Sequence, residues 1–558
     1  MPIFNEEKQE QRLESLKKRE SEDLTKILSQ KYSLPYVNLT ISPINIEALR
    51  IVKEEEAKKA KVAPFNLLNK KIYLGILSPK NLSTLELVGN LKRRGLEPNL
   101  FLVSEESLER TWERYGDLSE AKKTEGGALD ISGEEISDFL KKTGSLNEIK
   151  QLIEDNLASK KSYRVTKILE IIIAGALSVK ASDIHFEPEE EFVRLRYRLD
   201  GILTDVLNFD IATYKLLLSR IKLISGLKLN ISAKAQDGRF SIKLKAQEIE
   251  IRTSVLPGAY GESTVLRVLN PQAISVPLEE LGIHPRLLEI LIYEMSKPNG
   301  MILTTGPTGS GKTTTLYAFL KKIQSPGIKI ITIENPIEYH LPGIVQTQTD
   351  DKKGYTFLEG LRSALRQDPD VIMVGEIRDQ ETAEIAVNSA LTGHLVFSTL
   401  HTNNAAGSFP RLISLGVNPK VITSAINVAM AQRLVRKLCP KCRKMAPLKD
   451  MEKKMVETIV TSITDKTYLK NVQTESVWEP AGCKECNLTG FKGRLGIFEA
   501  IRTDEKIEDV VKKNPSEREV KEVAKHQNIL DMKQDGVLKV LEGVTSLGEL
   551  QRVVDLLE

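Results

Sequence analysis

Met301-Ile302-Leu303-Thr304-Thr305-Gly306-Pro307-Thr308-Gly309-Ser310-Gly311-Lys312-Thr313-Thr314 decides the fold of the central part of this chain. The first five residues read as a buried strand, and Thr315 to Gln324 reads as a helix. Between them stands G-x-x-x-x-G-K-[ST] in the strand–loop–helix context that the motif requires. Glycines let backbone N–H groups turn inward on phosphates, and the following helix N-terminus adds a positive dipole end. Gly306, Pro307, Thr308, Gly309, Ser310, Gly311, Lys312, Thr313 and Thr314 are therefore the candidate nucleotide-binding residues. In that role Lys312 reaches the β- and γ-phosphates and Thr313 ligates Mg²⁺.

Two further strand ends extend the site. Val371-Ile372-Met373-Val374 is a short apolar run that ends in Gly375-Glu376, so a carboxylate is placed where it can reach the metal or its waters, the Walker B role. Ile328 to Ile333 reads as another strand, followed by Glu334-Asn335-Pro336-Ile337-Glu338-Tyr339. Hydrolysis needs a carboxylate to orient and deprotonate water, and the residues alone leave both Glu334 and Glu338 open for that task. Short β-rich runs alternate with helices from 276 to 435, which predicts an α/β core on a parallel sheet.

The rest of the 558 residues divides around this core. Residues 1–118 read as a small α/β domain, with Ile72 to Leu77 as an apolar run. Residues 119–145, rich in Gly, Ser and charge, read as a linker. Residues 146–275 read as a second N-terminal α+β domain, with a helix at Tyr163 to Ser178, alternation at Phe192 to Arg198, and Asp200-Gly201 as a turn. Residues 436–490 contain all four cysteines, and 491–558 read as a charged helical region. Ile168 to Val179 is too short for a membrane span and contains Glu170, so it reads as a buried helix. The polar N-terminus lacks the apolar segment of a secretory signal, which points to a cytoplasmic protein. Lys and Arg (80) nearly balance Asp and Glu (76), and aromatics are 5%, which argues against a nucleic-acid partner.

Cys439-Pro440-Lys441-Cys442 and Cys483-Lys484-Glu485-Cys486 are two knuckles forty residues apart, so an insertion must fold between them. Four thiolates suit a closed, structural Zn²⁺ site, and the alternatives are a redox dithiol or unliganded thiols.

These blocks resemble, in order and spacing, the type II secretion and type IV pilus ATPases. The resemblance is carried by the loop at 306–314 and the box Glu334 to Tyr339. It continues through Leu361 to Asp370 leading to Gly375-Glu376-Ile377-Arg378-Asp379, and through Thr392 to Thr402. Upstream, Ala181 to His185 and Gln236 to Arg239 are similar to the family's second N-terminal domain, and Lys31 to Leu39 with Ala63-Pro64-Phe65 to its first. The resemblance implies a RecA-like P-loop ATPase core that uses ATP and Mg²⁺, preceded by α+β domains and followed by a tetracysteine Zn²⁺ module. It implies that Glu338 is the catalytic glutamate, Glu376 the Walker B glutamate, and His401 a phosphate sensor with His394 nearby. Arg252 and Arg267 would balance phosphate charge, and Arg362 and Arg366 would be interface or nucleotide-linked arginines. Where the family most often has Glu-Asp-Pro, this chain has Glu334-Asn335-Pro336, which keeps both glutamates of the box.

The resemblance further implies a homohexamer whose second N-terminal domain swings about residues 270–280. Its partners would be an inner-membrane platform protein and a docking protein at the cytoplasmic face, with pilin moved indirectly. The tetracysteine module is that of assembly and secretion motors, and retraction motors lack it. The reading is a pilus-assembly motor, with a type II secretion motor as the alternative from the same motif set. No Arg-Leu-Gly repeat of the kind that binds cyclic di-GMP in some relatives is found, so the first domain is expected to dock partners. The rival classes are a nucleic-acid translocase and a nucleotide-binding scaffold without turnover.

Overall fold

A computed structural model of the chain describes residues 21–40, 42, 44–68, 71–117, 144–158, 164–244, 247–270, 276–470 and 473–556. The expected linker at 119–145 lies outside the described residues except for 144 and 145, as do 271–275 of the expected hinge. The chain forms two compact units, Met1–Gly133 with Glu154–Glu170, and Glu134–Ile153 with Ile171–Glu558.

In the first unit, strand Val62–Leu68 pairs antiparallel with Lys71–Ile76, which pairs parallel with Glu97–Leu102. Helix Leu82–Arg93 makes the parallel crossover, and Asn81 caps it by accepting from the Ser83 amide at 3.0 Å. Val62, Ile72, Leu74, Ile76, Leu87 and Leu91 form its buried core.

The second unit contains two large sheets. The first has six antiparallel strands in the order Ile202–Phe209, Val193–Leu199, Asp183–Pro188, Gly261–Leu269, Gln247–Gly258, Gln236–Leu244. In Val193–Leu199 the apolar residues are buried and Arg194, Arg196 and Arg198 take the opposite face, as the period-2 pattern predicts. Asp200 and Gly201 both have positive φ in the turn that follows.

The second sheet has seven strands, ordered Val345–Gln348, Ile330–Glu334, Val371–Val374, Leu395–Leu400, Gly300–Thr305, Ile426–Leu438, Phe491–Arg502. The first six are parallel and the last is antiparallel. Met301, Leu303, Ile331 and Ile333 pack to one face, and Ile302, Ile330, Val371 and Phe397 to the other. Helices cover both faces, which is why these strands read as continuous apolar runs.

The sequence reading of 491–558 as helical is corrected at its start. Residues Phe491–Arg502 form a strand, and it completes the core sheet by pairing along Ile426–Leu438. Its buried Phe491, Ile497, Phe498, Ala500 and Ile501 are interrupted by Lys492, Arg494 and Glu499, a mixture in which charge hides the extended pattern.

Candidate active site

The carboxyl ends of four adjacent strands meet at one edge of the seven-stranded sheet, where ligands of open α/β sheets bind. They are the ends at Thr305, Glu334, Val374 and Leu400. Past Thr305 the chain enters the Gly306–Gly311 loop, and helix Lys312–Ile323 starts from Gly311 in left-handed geometry. Gly306 has φ 145°, and a Cβ there would lie 2.6 Å from the Gln432 carbonyl. The tight approach of the Ile426–Leu438 strand thus requires glycine at this position.

Lys312 Nζ donates to the carbonyls of Gly306 (2.8 Å) and Pro307 (3.2 Å). Burial lowers its pKa, Glu376 opposes this, and the nearby Arg433 adds to it. Glu376 is paired with Arg378 and lies 3.3 Å from His401 Nε2. Thr305 Oγ1 accepts from the Thr402 amide at 2.9 Å, so the residue after His401 is fastened to the strand that precedes the loop.

The acidic box divides into an inner and an outer carboxylate. Glu334 is 3% exposed and accepts from the hydroxyls of Tyr317 and Thr332 and from Gln346 Nε2. Glu338 has a 32% exposed side chain, and its carboxylate takes a 3.1 Å bond from Arg252 Nη1. Arg252 Nη2 also donates to the Ile337 carbonyl at 2.7 Å. The six-stranded sheet therefore touches the box directly, which joins Arg252 to the site.

Other expected residues are placed elsewhere. Arg267 pairs with Asp183 at 3.0 Å, and its side chain is 61% exposed. Arg362 pairs with Glu359 on the surface of helix Phe357–Leu365, and Arg366, at its C-cap, donates to Ser363 Oγ. His394 is corrected. It precedes strand Leu395–Leu400, whereas His401 follows it, so seven residue steps at about 3.3 Å each set them about 23 Å apart. His394 instead faces the Ser389 carbonyl at 3.1 Å.

Three neighbours of the loop escaped the sequence reading. Gln432 Nε2 donates to the Ser310 carbonyl at 2.6 Å, Arg433 Nη2 donates to the Asn403 carbonyl at 3.1 Å, and Glu499 accepts from the Ala405 amide at 2.7 Å. No motif spacing marks them, because strand pairing alone brings them to the loop. Ser310 Oγ and Arg433 Nη1 are buried polar atoms without a hydrogen-bond partner. Donors of this kind, beside a lysine and a helix N-terminus, suit an anionic ligand such as a nucleotide phosphate. The Thr313 hydroxyl and the Glu376 carboxylate are oxygen ligands of the type Mg²⁺ takes.

The four cysteines form a second centre, with sulfur atoms all within 4.8 Å of one another. Cys439–Cys483 and Cys442–Cys486 are 3.8 Å apart, and Cys483–Cys486 is 3.7 Å. Thiolates about 2.3 Å from a tetrahedral zinc are about 3.8 Å apart, so the arrangement fits that ion and not a disulfide. Cys439 follows strand Ile426–Leu438 directly, and its amide donates to the Gly490 carbonyl at 2.9 Å, just before strand Phe491–Arg502. The centre therefore clasps the base of the inserted segment to two strands of the core sheet.

A family model described as type II/IV secretion system protein matches residues 158–552, and the MshEN domain model matches 32–122. The type IV pilus assembly ATPase PilB of Myxococcus xanthus (strain DK1622) is 35% identical over 532 residues, 95% of this chain and 91% of its own length. The type IV pilus assembly ATPase TfpB of Acinetobacter baylyi (strain ATCC 33305 / BD413 / ADP1) is 35% identical over 538 residues, 96% and 88% respectively. Type II secretion system protein E of Aeromonas hydrophila is 40% identical over 400 residues, 72% and 77% respectively.

Proposed function

We propose, from the premise that the chain belongs to the type II/IV secretion system protein family, that it is a motor ATPase that powers type IV pilus assembly. The observation that supports this reading most is the gathering of Lys312, Glu376, His401 and the Glu338–Arg252 pair at the carboxyl ends of the parallel strands of one sheet. The reaction is ATP + H₂O → ADP + phosphate.

Lys312 leaves the carbonyls of Gly306 and Pro307 for the β- and γ-phosphates, while the loop amides hold the remaining phosphate oxygens. Bound Mg²⁺ would supply charge neutralisation at those oxygens, held by Thr313 with Glu376 behind it. Glu338, once released from Arg252, orients the attacking water and accepts its proton. Arg252 is then free to balance charge on the departing phosphoryl group, and Arg267 is assigned the same task. His401, tied to Glu376, reports the state of the γ-phosphate end. The cysteine centre holds Zn²⁺ as a structural ion.

The choice of pilus over secretion is supported by coverage. The relatives named for pilus assembly align over 95% and 96% of this chain, whereas the secretion protein E aligns over 72%. The secretion reading keeps the support of its higher identity, 40% against 35%. The protein acts as a homohexamer at the cytoplasmic face of the inner membrane. Residues 1–118 dock a partner there, and a platform protein passes the motion to pilin. Among the described residues no helix is long and apolar enough to cross a membrane, so partners supply the attachment.

Deleting the gene and restoring it as wild type or Lys312→Ala tests the reading. Surface filaments are expected with wild type only. Normal filaments with a defect in protein export would move the assignment to secretion, and undiminished ATP turnover in Lys312→Ala would overturn the motor itself.

A further inference from the structure

We infer that Glu499 is a positioning residue of the ATPase reaction, acting through the loop that carries His401; this rests on the ATPase reading above. Glu499 lies on strand Phe491–Arg502, opposite Ala431. Its two carboxylate oxygens go to different segments, one to the Ala405 amide at 2.7 Å and the other to the Met532 amide at 3.1 Å. Met532 opens helix Met532–Leu541, so one side chain joins the C-terminal helices to the loop behind the nucleotide site.

The grip on this loop is residue by residue. The Asn403 carbonyl accepts from Arg433, the Asn404 side chain donates to Glu517, and the Ala405 amide donates to Glu499. All three holding side chains come from strand Ile426–Leu438 or from the chain that follows it. On the other side, Thr402 is fastened to Thr305 at 2.9 Å. His401 is thus suspended between Leu400, fixed in its strand, and a stretch of four consecutive anchored residues. Its 3.3 Å approach to Glu376 is set by those anchors. Burial raises the pKa of Glu499, and the two amides act against that rise, so the charged form depends on both bonds.

A second consequence is direction. Met532 and Ala405 share one rigid acceptor, so displacement of the C-terminal helices moves the loop, and rearrangement at the phosphate end pulls on the helices. Glu499 links the two through a hydrogen bond on each side of one carboxylate.

The test uses full-length protein and a double-mutant cycle on ATP turnover. Glu499→Gln keeps one acceptor and sets an NH₂ group against the other amide. It is expected to lower kcat about tenfold while KM for ATP stays within about twofold. Combined with His401→Ala it should cost no more than about twofold beyond His401→Ala alone, because both changes act through one element. Unchanged kcat, or losses that multiply, would overturn the assignment, since a merely structural carboxylate gives multiplying losses. Should Glu499→Gln fail to fold, the exposed Glu517→Gln is run through the same cycle, with an expected loss of about two- to fivefold that again does not multiply. An active wild type with a fully active Glu499→Gln sinks this inference alone. A wild type as silent as Lys312→Ala sinks the ATPase reading and this inference with it.

Discussion

Lys312 is a half-buried cation held by two carbonyls, and that placement has a signed consequence. Its pKa lies below the ordinary 10.5 because burial disfavours the charged form, with Glu376 only partly compensating. Between the depressed value and 10.5 the unfolded chain binds more protons than the folded one. Stability of the nucleotide-free protein therefore rises with pH through that window, and the charge costs stability at neutral pH. Lys312→Met should raise the nucleotide-free Tm at pH 7 by on the order of 1–3 °C, kept small by partial exposure, and should abolish the further gain on adding ATP with Mg²⁺. Thermal scans with and without nucleotide check both halves, and a lower nucleotide-free Tm would contradict the account. The carboxylates predict a different pattern. Glu338→Gln removes a proton acceptor and leaves the loop intact, so kcat should fall by about 10²–10⁴ with ATP binding retained. Single-turnover phosphate release and fluorescent-nucleotide titration separate these quantities. Equal loss of binding and turnover would assign Glu338 to the cradle, not to the chemistry.

At the scale of elements, the phosphate loop and the cysteine clasp give contrasting predictions. Alanine at Gly306 must take φ 145° and place its Cβ 2.6 Å from a backbone carbonyl, whereas at Gly309, with φ 80°, nothing lies within 4 Å. Gly309→Ala should cost about 1–2 kcal/mol for its left-handed backbone, measurable by denaturant unfolding, and Gly306→Ala distinctly more, with nucleotide binding lost. Similar costs at the two sites would mean that the close approach of the Gln432 strand is immaterial. The clasp joins the ends of strands Ile426–Leu438 and Phe491–Arg502, from which Gln432, Arg433 and Glu499 reach the active-site loops. Stripping zinc with a strong chelator should lower Tm and turnover together, and re-adding zinc should restore both; metal analysis near one zinc per chain accompanies the active form. Turnover that survives complete metal loss would separate the clasp from the site. Both features were legible in the sequence because their spacing is local. The phosphate loop is a continuous segment, and each C-x-x-C brings two thiols to one turn. Glu499 and Arg433 were not legible, since their meeting with the His401 loop depends on two strands pairing across residues 439–490. His394 misled for a related reason: closeness in sequence across a six-residue strand means opposite edges of the sheet in space. The strand at Phe491–Arg502 was concealed by its own charges, which serve the loops and the surface while its apolar residues fill the core.

For the whole molecule, the two arginines opposite each other in register, Arg252 and Arg267, pose the remaining question. Cross-strand partners project from the same face of a sheet. Yet Arg252 is engaged with Glu338, while Arg267 is bound to Asp183 and is 61% exposed. Within one chain, then, the first arginine already belongs to the acidic box and the second faces outward. In the proposed ring, an outward arginine on that face is available to a neighbouring copy, in the way a closed cyclic interface repeats one surface against another. Arg267→Ala and Lys312→Ala should each be inactive alone. Mixed in equal amounts and allowed to reassemble, they should recover about a quarter of wild-type turnover, because a random ring puts an intact lysine beside a neighbour's intact arginine at one interface in four. Arg252→Ala mixed with Lys312→Ala should recover far less, since Arg252 and Glu338 meet inside one chain and a composite site would still lack the release partner of its own glutamate. The two mixtures differ only in which arginine is missing. Recovery in both would place Arg252 in trans as well, and recovery in neither would confine the catalytic machinery to single chains and remove the argument that turnover requires the ring.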